Sequence, residues 1–471
     1  MSALQQLAGR RLLFLNWRDL TNPAAGGAEA YAEQIAQRFA AAGAQVTLFT
    51  SEYDDAQPHD WENDYLVVRR GGRFGVYAAA AHHLRRYGRR YDAVVDFQNG
   101  IPFFSPLWAP KGTVVLCVVH HVHQQQFNTY FRWPVNHVGR FLEGPVSRRI
   151  YGFRPFAAVS PSTRTEMRTQ LGLRGPIHIV PNGVQPLPAS RVARSPDPAI
   201  AVVTRLVPHK RLHMLVEAMP ALLRRWPGLR LKIGGTGPAR ETLRTLITGL
   251  GVERAVSLPG RVSEQDKSDL LSAAWLTAMP SLAEGWGLTV IEANTLGTPA
   301  VGYNVPGLRD SIRDGRTGWL VPASADLTSV LAAALGELQD PDRRNFMAGQ
   351  CRRWAAAFSW DSSAERLAGL LLSEIKDREL GRAGQRSVVD LCTVASWPTD
   401  QADDDLERRL RKALGMNDVI TRHAGGLSVL MSGCDEVAAA AALRRAQVPP
   451  ARLRLASSTA VLSGSDGDEC R

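Results

Sequence analysis

Apolar residues gather along this chain in short runs that alternate with amphipathic stretches, the pattern of repeated βαβ units. Arg11-Leu-Leu-Phe-Leu-Asn16 reads as a first strand. It leads through Pro23-Ala-Ala-Gly26-Gly27-Ala-Glu29 into a helix whose apolar positions Tyr31, Ile35 and Phe39 share one face. Gly43 ends that helix and Val46-Thr-Leu-Phe-Thr50 is the next strand, so a doubly wound sheet has begun. Val114-Val-Leu-Cys-Val-Val-His120-His121-Val-His123 is a further strand that ends in three histidines within four residues. In the second half, Leu231-Lys-Ile-Gly234-Gly235-Thr-Gly237-Pro238 is a strand running into a glycine turn. Met279-Pro280-Ser281 reads as the mouth of a buried strand, and Ala293-Asn-Thr-Leu-Gly297 as a helix closed by glycine.

A boundary falls at Ile179-Val-Pro181-Asn182-Gly183-Val184, and residues 186–198 are rich in Pro and Ser. The expected division is residues 1–184 as one Rossmann-like domain, 185–198 as linker and 199–378 as a second domain with return helices. Residues 379–462 are expected as a small α/β appendage and 463–471 as a disordered tail. A length of 471 residues and a hydrophobic content of 45% suit such a multidomain chain. There is no run of eighteen apolar residues, so no membrane span is expected. The Leu12–Leu15 run reads as a sheet strand and not as a secretory signal. Five cysteines, at 117, 351, 392, 434 and 470, are scattered without metal spacing and read as reduced thiols of a cytoplasmic protein.

A net charge of +11 asks for a partner or an explanation. No nucleic-acid module is recognisable and the basic residues are dispersed, so nucleic acid is not expected. Arg69, Arg70, Arg73, Arg85, Arg86, Arg89 and Arg90 fall in the first domain, as does the aromatic and basic stretch over residues 127–150. Aromatic and basic residues together suit a peripheral protein on the inner face of an anionic membrane. Ordinary solvated helices of an Arg-rich chain are the equal alternative.

The segment Glu284-Gly-Trp-Gly-Leu-Thr-Val-Ile-Glu292 carries the most chemistry. A glycine turn that opens a helix favours phosphate through free N–H groups and the helix dipole. Carboxylates on either side of that turn can hold hydroxyls flanking the phosphate, which describes a nucleotide sugar. This segment resembles the E-x7-E motif of retaining family 4 glycosyltransferases, with Trp286 where the family usually has Phe. Flanking segments match the same family in order. Ala201-Val-Val-Thr-Arg205-Leu-Val-Pro-His-Lys210-Arg211 resembles the strand and loop that bring Arg205 and Lys210 to the donor diphosphate; Arg211 reads as a solvated loop residue. Gly235 resembles part of the loop under the nucleotide. Val256-Ser-Leu-Pro-Gly260-Arg261-Val262 resembles the segment whose backbone pairs with the base. The Gly26–Gly27 loop resembles the one that closes on the donor phosphates from the first domain. It is not the G-x-G-x-x-G fingerprint, which disfavours a nicotinamide enzyme, and Glu29 reads as a dipole partner of its helix.

The resemblance covers residues 10 to about 375 and implies a GT-B fold: two facing Rossmann-like domains with a central cleft. It implies transfer of a hexosyl group from a nucleoside-diphosphate sugar to a glycan, glycolipid or polyol. Arg205 and Lys210 would hold the diphosphate with the backbone at Gly285, Gly287, Leu288 and Thr289. Glu292 would hold ribose hydroxyls, Glu284 a sugar hydroxyl, and His120, or else His121, would sit by the anomeric carbon. Three close histidines suggest metal, but His120 and His121 point to opposite strand faces and no nearby Cys or Asp completes a site, so no metal is expected. A nucleotide-sugar epimerase and a non-catalytic sugar-nucleotide sensor or scaffold remain as rival readings. In the tail, residues 417–435 resemble the carboxyl half of a degenerate GGDEF domain, with Leu427 and Ser428 where that family has metal-binding carboxylates.

Overall fold

The computed structural model describes residues 2–54, 56–379, 391–414, 418–432 and 434–457. The expected tail at 463–471, with Cys470, and residues 380–390 and 458–462 of the expected appendage lie outside the described residues.

The first domain is a largely parallel sheet built from β1 (Arg11–Leu15), β2 (Gln45–Thr50), β3 (His59–Glu62), β4 (Tyr65–Arg69), β5 (Ala93–Asn99), β6 (Val114–His121) and β7 (Phe156–Ala158). These strands follow the order β3-β4-β2-β1-β5-β6-β7, with only β3 antiparallel. Leu12 pairs with Val46 on one side and Ala93 on the other. Helices cover both faces of such a sheet, so its strands are apolar throughout and do not alternate. Accordingly Leu12, Leu13, Phe14 and Leu15 are fully buried. The helix Gly27–Ala41 buries Tyr31, Ile35 and Phe39. Ile177–Ile179 is a further short strand, β8.

The second domain contains β9 (Ala199–Val203), β10 (Arg230–Gly234), β11 (Val256–Gly260), β12 (Thr277–Met279), β13 (Ala300–Tyr303) and β14 (Gly318–Val321). The orders β11-β10-β9 and β12-β13-β14 are joined by a parallel bridge between Ile200 and Leu276. All six strands run parallel over one apolar core. In both domains the strand order reverses beside the first strand, between β1 and β5 and between β9 and β12. Open α/β sheets hold ligands at the carboxyl ends of strands at such switch points.

After the second domain the chain returns to the first in the helix Trp360–Glu379. Arg38 Nε donates to Asp361 at 2.6 Å, and Ser363 Oγ donates to the Pro181 carbonyl at 2.6 Å. Gly183 is required there: a Cβ on it would lie 2.2 Å from the Trp360 backbone nitrogen.

The carboxyl-terminal appendage has an antiparallel sheet of β15 (Leu391–Pro398), β16 (Val419–His423), β17 (Gly426–Ser432) and β18 (Arg452–Ser457), in the order β16-β17-β15-β18. The helices Asp404–Ala413 and Glu436–Arg445 belong to the same unit, whose core holds Trp397, Leu406, Leu410, Leu427 and Val429. Leu427 is fully buried, and Ser428 Oγ lies 3.0 Å from Ser396 Oγ.

Candidate active site

The loops after β1, β6, β9 and β12 converge on a cleft of about 690 Å3. On the second-domain side β9 ends at Val203 and the chain turns through Arg205 to Lys210. Lys210 is buried and its Nζ lies 2.5 Å from Glu284 Oε1, in a pair whose side chains are only 11% and 13% exposed. Burial pushes the Glu284 carboxyl up, but the charge and hydrogen bond of Lys210 outweigh it and hold the group below its ordinary range. Glu284 therefore presents its carboxylate form to the cleft.

Glu284 sits where it does because glycines let backbones meet. A Cβ on Gly307 would lie 2.2 Å from the Glu284 carbonyl oxygen. Gly287, at φ +88°, is the left-handed start of the helix Leu288–Thr295, and no side chain caps that helix. The first turn at Leu288 and Thr289 lines the cleft with its N–H groups uncapped by any side chain, the arrangement that receives a phosphate. One turn on, Glu292 Oε1 accepts from Lys267 Nζ at 3.0 Å, and Lys267 also meets Glu264 at 2.9 Å. Burial raises the Glu292 carboxyl above its ordinary range despite Lys267.

From the first domain, Gly26 and Gly27 close on this surface. A Cβ on Gly26 would lie 3.6 Å from the Arg205 guanidinium, and one on Gly27 would lie 3.0 Å from Leu288 Cδ1. Glu29 is buried: it accepts from the Gly26 N–H at 2.7 Å and from Arg18 Nε at 3.0 Å, which fixes the loop and brings Arg18 to the cleft wall.

His120 and His121 both line the cleft, where β6 shifts register against β5 so that His121, and not His120, pairs with Asn99. His120 stacks on Phe97 and meets the edge of Tyr31, and its Nε2 is buried without a hydrogen-bond partner. Burial lowers its pKa to about 3, with His123 adding to the effect. His121 turns toward the second domain, where its Cβ lies 3.8 Å from the Cβ position of Gly285. His123 lines the cleft as well, and its backbone N–H donates to Glu143 at 2.7 Å. Among the described residues no group of three His, Cys, Asp or Glu side chains is placed to hold a metal ion.

The cleft thus brings together Gly26, Gly27, His120, Arg205, Lys210, Glu284, Gly285, Gly287, Leu288, Thr289 and Glu292. Gly235 and Val262 do not line it. Gly235 has a packing role: at φ +136°, a Cβ on it would lie 1.8 Å from the Thr204 carbonyl oxygen. Val262 is half-buried and packs by Gly234. Arg211 is not the solvated loop residue the sequence suggests. It donates to the carbonyls of Pro280 at 2.7 Å and Ser281 at 3.2 Å and lies over the Tyr303 ring, so it braces the loop that carries Glu284. Sequence reasoning also missed His209 and Lys267 on the cleft wall. His209 adjoins the Lys210 motif; Lys267 gave only a helix-surface signal.

The Glycosyltransferase Family 4 model matches residues 25–186, and the Glycosyl transferases group 1 model matches residues 186–354. A D-inositol 3-phosphate glycosyltransferase of Nocardia farcinica is 37% identical over 198 residues, 40% of this chain and 43% of that protein. A GDP-mannose-dependent alpha-(1-6)-phosphatidylinositol monomannoside mannosyltransferase of Mycolicibacterium smegmatis is 30% identical over 243 residues, 47% of this chain and 63% of that protein. The chain spans about half the length of these curated relatives. Sucrose-phosphate synthase from Thermosynechococcus elongatus superposes with a TM-score of 0.66 at 20% identity, covering 80% of this chain and all of that one. Residues 25–354 therefore carry, one after the other, the domains of the Glycosyltransferase Family 4 and Glycosyl transferases group 1 models, on a GT-B fold.

Proposed function

We propose that this chain is a retaining glycosyltransferase that moves a hexosyl group from a nucleoside-diphosphate sugar to a polyol or glycolipid acceptor. The observation that carries the reading is the Lys210–Glu284 pair beside the uncapped helix start at Gly287, with Arg205 on the same side of a cleft that two switch points define. Fixed cations and N–H groups stabilise the charge that develops on a departing diphosphate. Arg205 and Lys210 serve that role with the backbone at Gly285, Gly287, Leu288 and Thr289. Glu292 holds ribose hydroxyls, Glu284 holds a sugar hydroxyl, and His120 lies by the anomeric carbon.

In this mechanism the bond from the anomeric carbon to phosphate oxygen breaks while the acceptor oxygen bonds to the same face. The acceptor proton passes to a phosphate oxygen of the leaving diphosphate. Closure of the cleft keeps water from intercepting the sugar. The names of the two relatives, one acting on an inositol phosphate and one on a phosphatidylinositol mannoside, support a polyol or glycolipid acceptor. A cytoplasmic protein resting on the inner membrane face suits the second. No helix among the described residues is long and apolar enough to cross a membrane.

Thermal melting with UDP, GDP and ADP tests the donor site. A ligand of the native state raises the melting temperature with its excess over Kd. A rise with one nucleotide, lost in Glu292→Ala, is expected; no rise with any of the three would remove the donor-site reading.

A further inference from the structure

Helix faces that look to water are normally polar. The helix Val135–Phe141, which continues through the wide turn Leu142–Val146 into Ser147–Tyr151, does the reverse. Its small residue faces inward: Gly139 is buried, and a Cβ on it would lie 2.5 Å from the Phe127 ring. Its apolar residues face out. Val135, Val138 and Phe141 are more than half exposed, and Trp133, just before the helix, is 79% exposed. Contiguous exposed apolar groups of this kind mark an interaction surface.

Along the stretch of chain that carries this face the exposed charges have one sign. Between Asp96 and Glu166 the only acidic residue is Glu143, and it is fully buried against the His123 N–H and the Gln124 side chain. Arg132, Arg148 and Arg149 are exposed and make no ion pair among the described residues. Apolar and aromatic groups ringed by unpaired arginines complement an anionic phospholipid surface, where apolar side chains enter the acyl boundary and cations meet head-group phosphates.

The face is also coupled to the cleft. Glu143, on its inner side, holds His123, and His123 and Gln126 line the cleft. We propose that residues 131–149 form a docking face that seats the protein on anionic phospholipid, with Trp133, Val138 and Phe141 inserted and Arg132, Arg148 and Arg149 on phosphates. This rests on the glycosyltransferase reading only for its purpose, which is to bring a lipid-borne acceptor to the first-domain side of the cleft.

Sedimentation of the full chain with vesicles tests it, using pure phosphatidylcholine and phosphatidylcholine enriched in phosphatidylglycerol. Binding is expected only to the anionic vesicles, and it should weaken as salt rises. A triple variant, Arg132→Gln with Arg148→Gln and Arg149→Gln, should bind about a hundredfold more weakly, from about fivefold per arginine at such a surface. Trp133→Ser with Phe141→Ser should also release the protein. Wild type that ignores anionic vesicles, or variants that bind them as wild type does, would overturn the proposal. The nucleotide-induced melting shift, measured in parallel, should persist in every variant. Its absence from the wild type would strike the donor reading and leave the vesicle result to decide the face.

Discussion

Gly285→Ala probes whether the two domains must meet for catalysis. Gly285 belongs to the loop after β12 in the second domain, and the group it faces is the backbone carbonyl of His120 at the end of β6 in the first. A Cβ there would stand 2.3 Å from that oxygen and 3.3 Å from its carbon. The obstacle is backbone inside a fully buried strand, so it cannot turn aside as a side chain would. Overpacking of this kind costs about 1–3 kcal/mol. An opened cleft would avoid the clash, so the penalty would fall on the closed arrangement in which the proposed transfer takes place. That corresponds to a loss in kcat/KM of about fivefold to a hundredfold. The assay is steady-state transfer to a soluble acceptor, with nucleotide-induced melting shifts measured beside it. Arg205, Lys210 and Glu292 are untouched, so the melting shift should survive while turnover falls. Unchanged kcat/KM would refute the argument that closure at Gly285 assembles the site.

Four other outcomes are expected. Lys210→Met leaves Glu284 buried without its cation, which should cost about 3–5 kcal/mol of stability, lower the melting temperature and abolish transfer; a fully active variant would contradict the assigned pair. Glu284 is held below its ordinary value of 4.5, so its contribution is present above that value and lost as pH falls through the folded pKa; melting curves of Glu284→Gln should lack that acid-side loss. Glu292 is raised by burial, so its ionised form opposes folding above the folded pKa; Glu292→Gln should melt no lower than wild type at neutral pH yet lose the nucleotide shift, and a lower melting point would show that the linkage is misjudged. Arg211→Ala removes two charge-assisted hydrogen bonds to the Glu284 loop, each worth about 1.5–3 kcal/mol; a lower melting temperature and lower kcat are expected, and a wild-type kcat would return Arg211 to the surface.

The GT-B fold was legible because buried parallel strands are continuous apolar runs and their helices carry a period near four, as from Leu12 to Phe39. The cleft residues were legible where chemistry and backbone geometry leave the same mark. Gly287 is needed for its left-handed turn, and Glu284 is a lone charge between the apolar residues on either side of it. For Gly235 the sequence cannot separate two roles, because a glycine looks the same whether it admits a phosphate or the Thr204 carbonyl. Arg211 failed for a related reason. An arginine in a basic loop shows no sign of the carbonyls it will brace, since Pro280 and Ser281 lie far along the chain and meet it only in the fold. The outward apolar face at Val135, Val138 and Phe141 was visible in the sequence as composition, but only the inward position of Gly139 shows which way it turns.

The central claim is transfer with retention, and NMR of the reaction product addresses it most directly. The chain would be incubated with the nucleoside-diphosphate hexose whose nucleotide raises its melting temperature, and with an inositol phosphate as acceptor. The account predicts a new glycosidic bond whose anomeric configuration matches that of the donor, formed by the wild type and absent with Glu284→Ala. An inverted linkage, or donor turnover that never forms a bond to an acceptor, would contradict it.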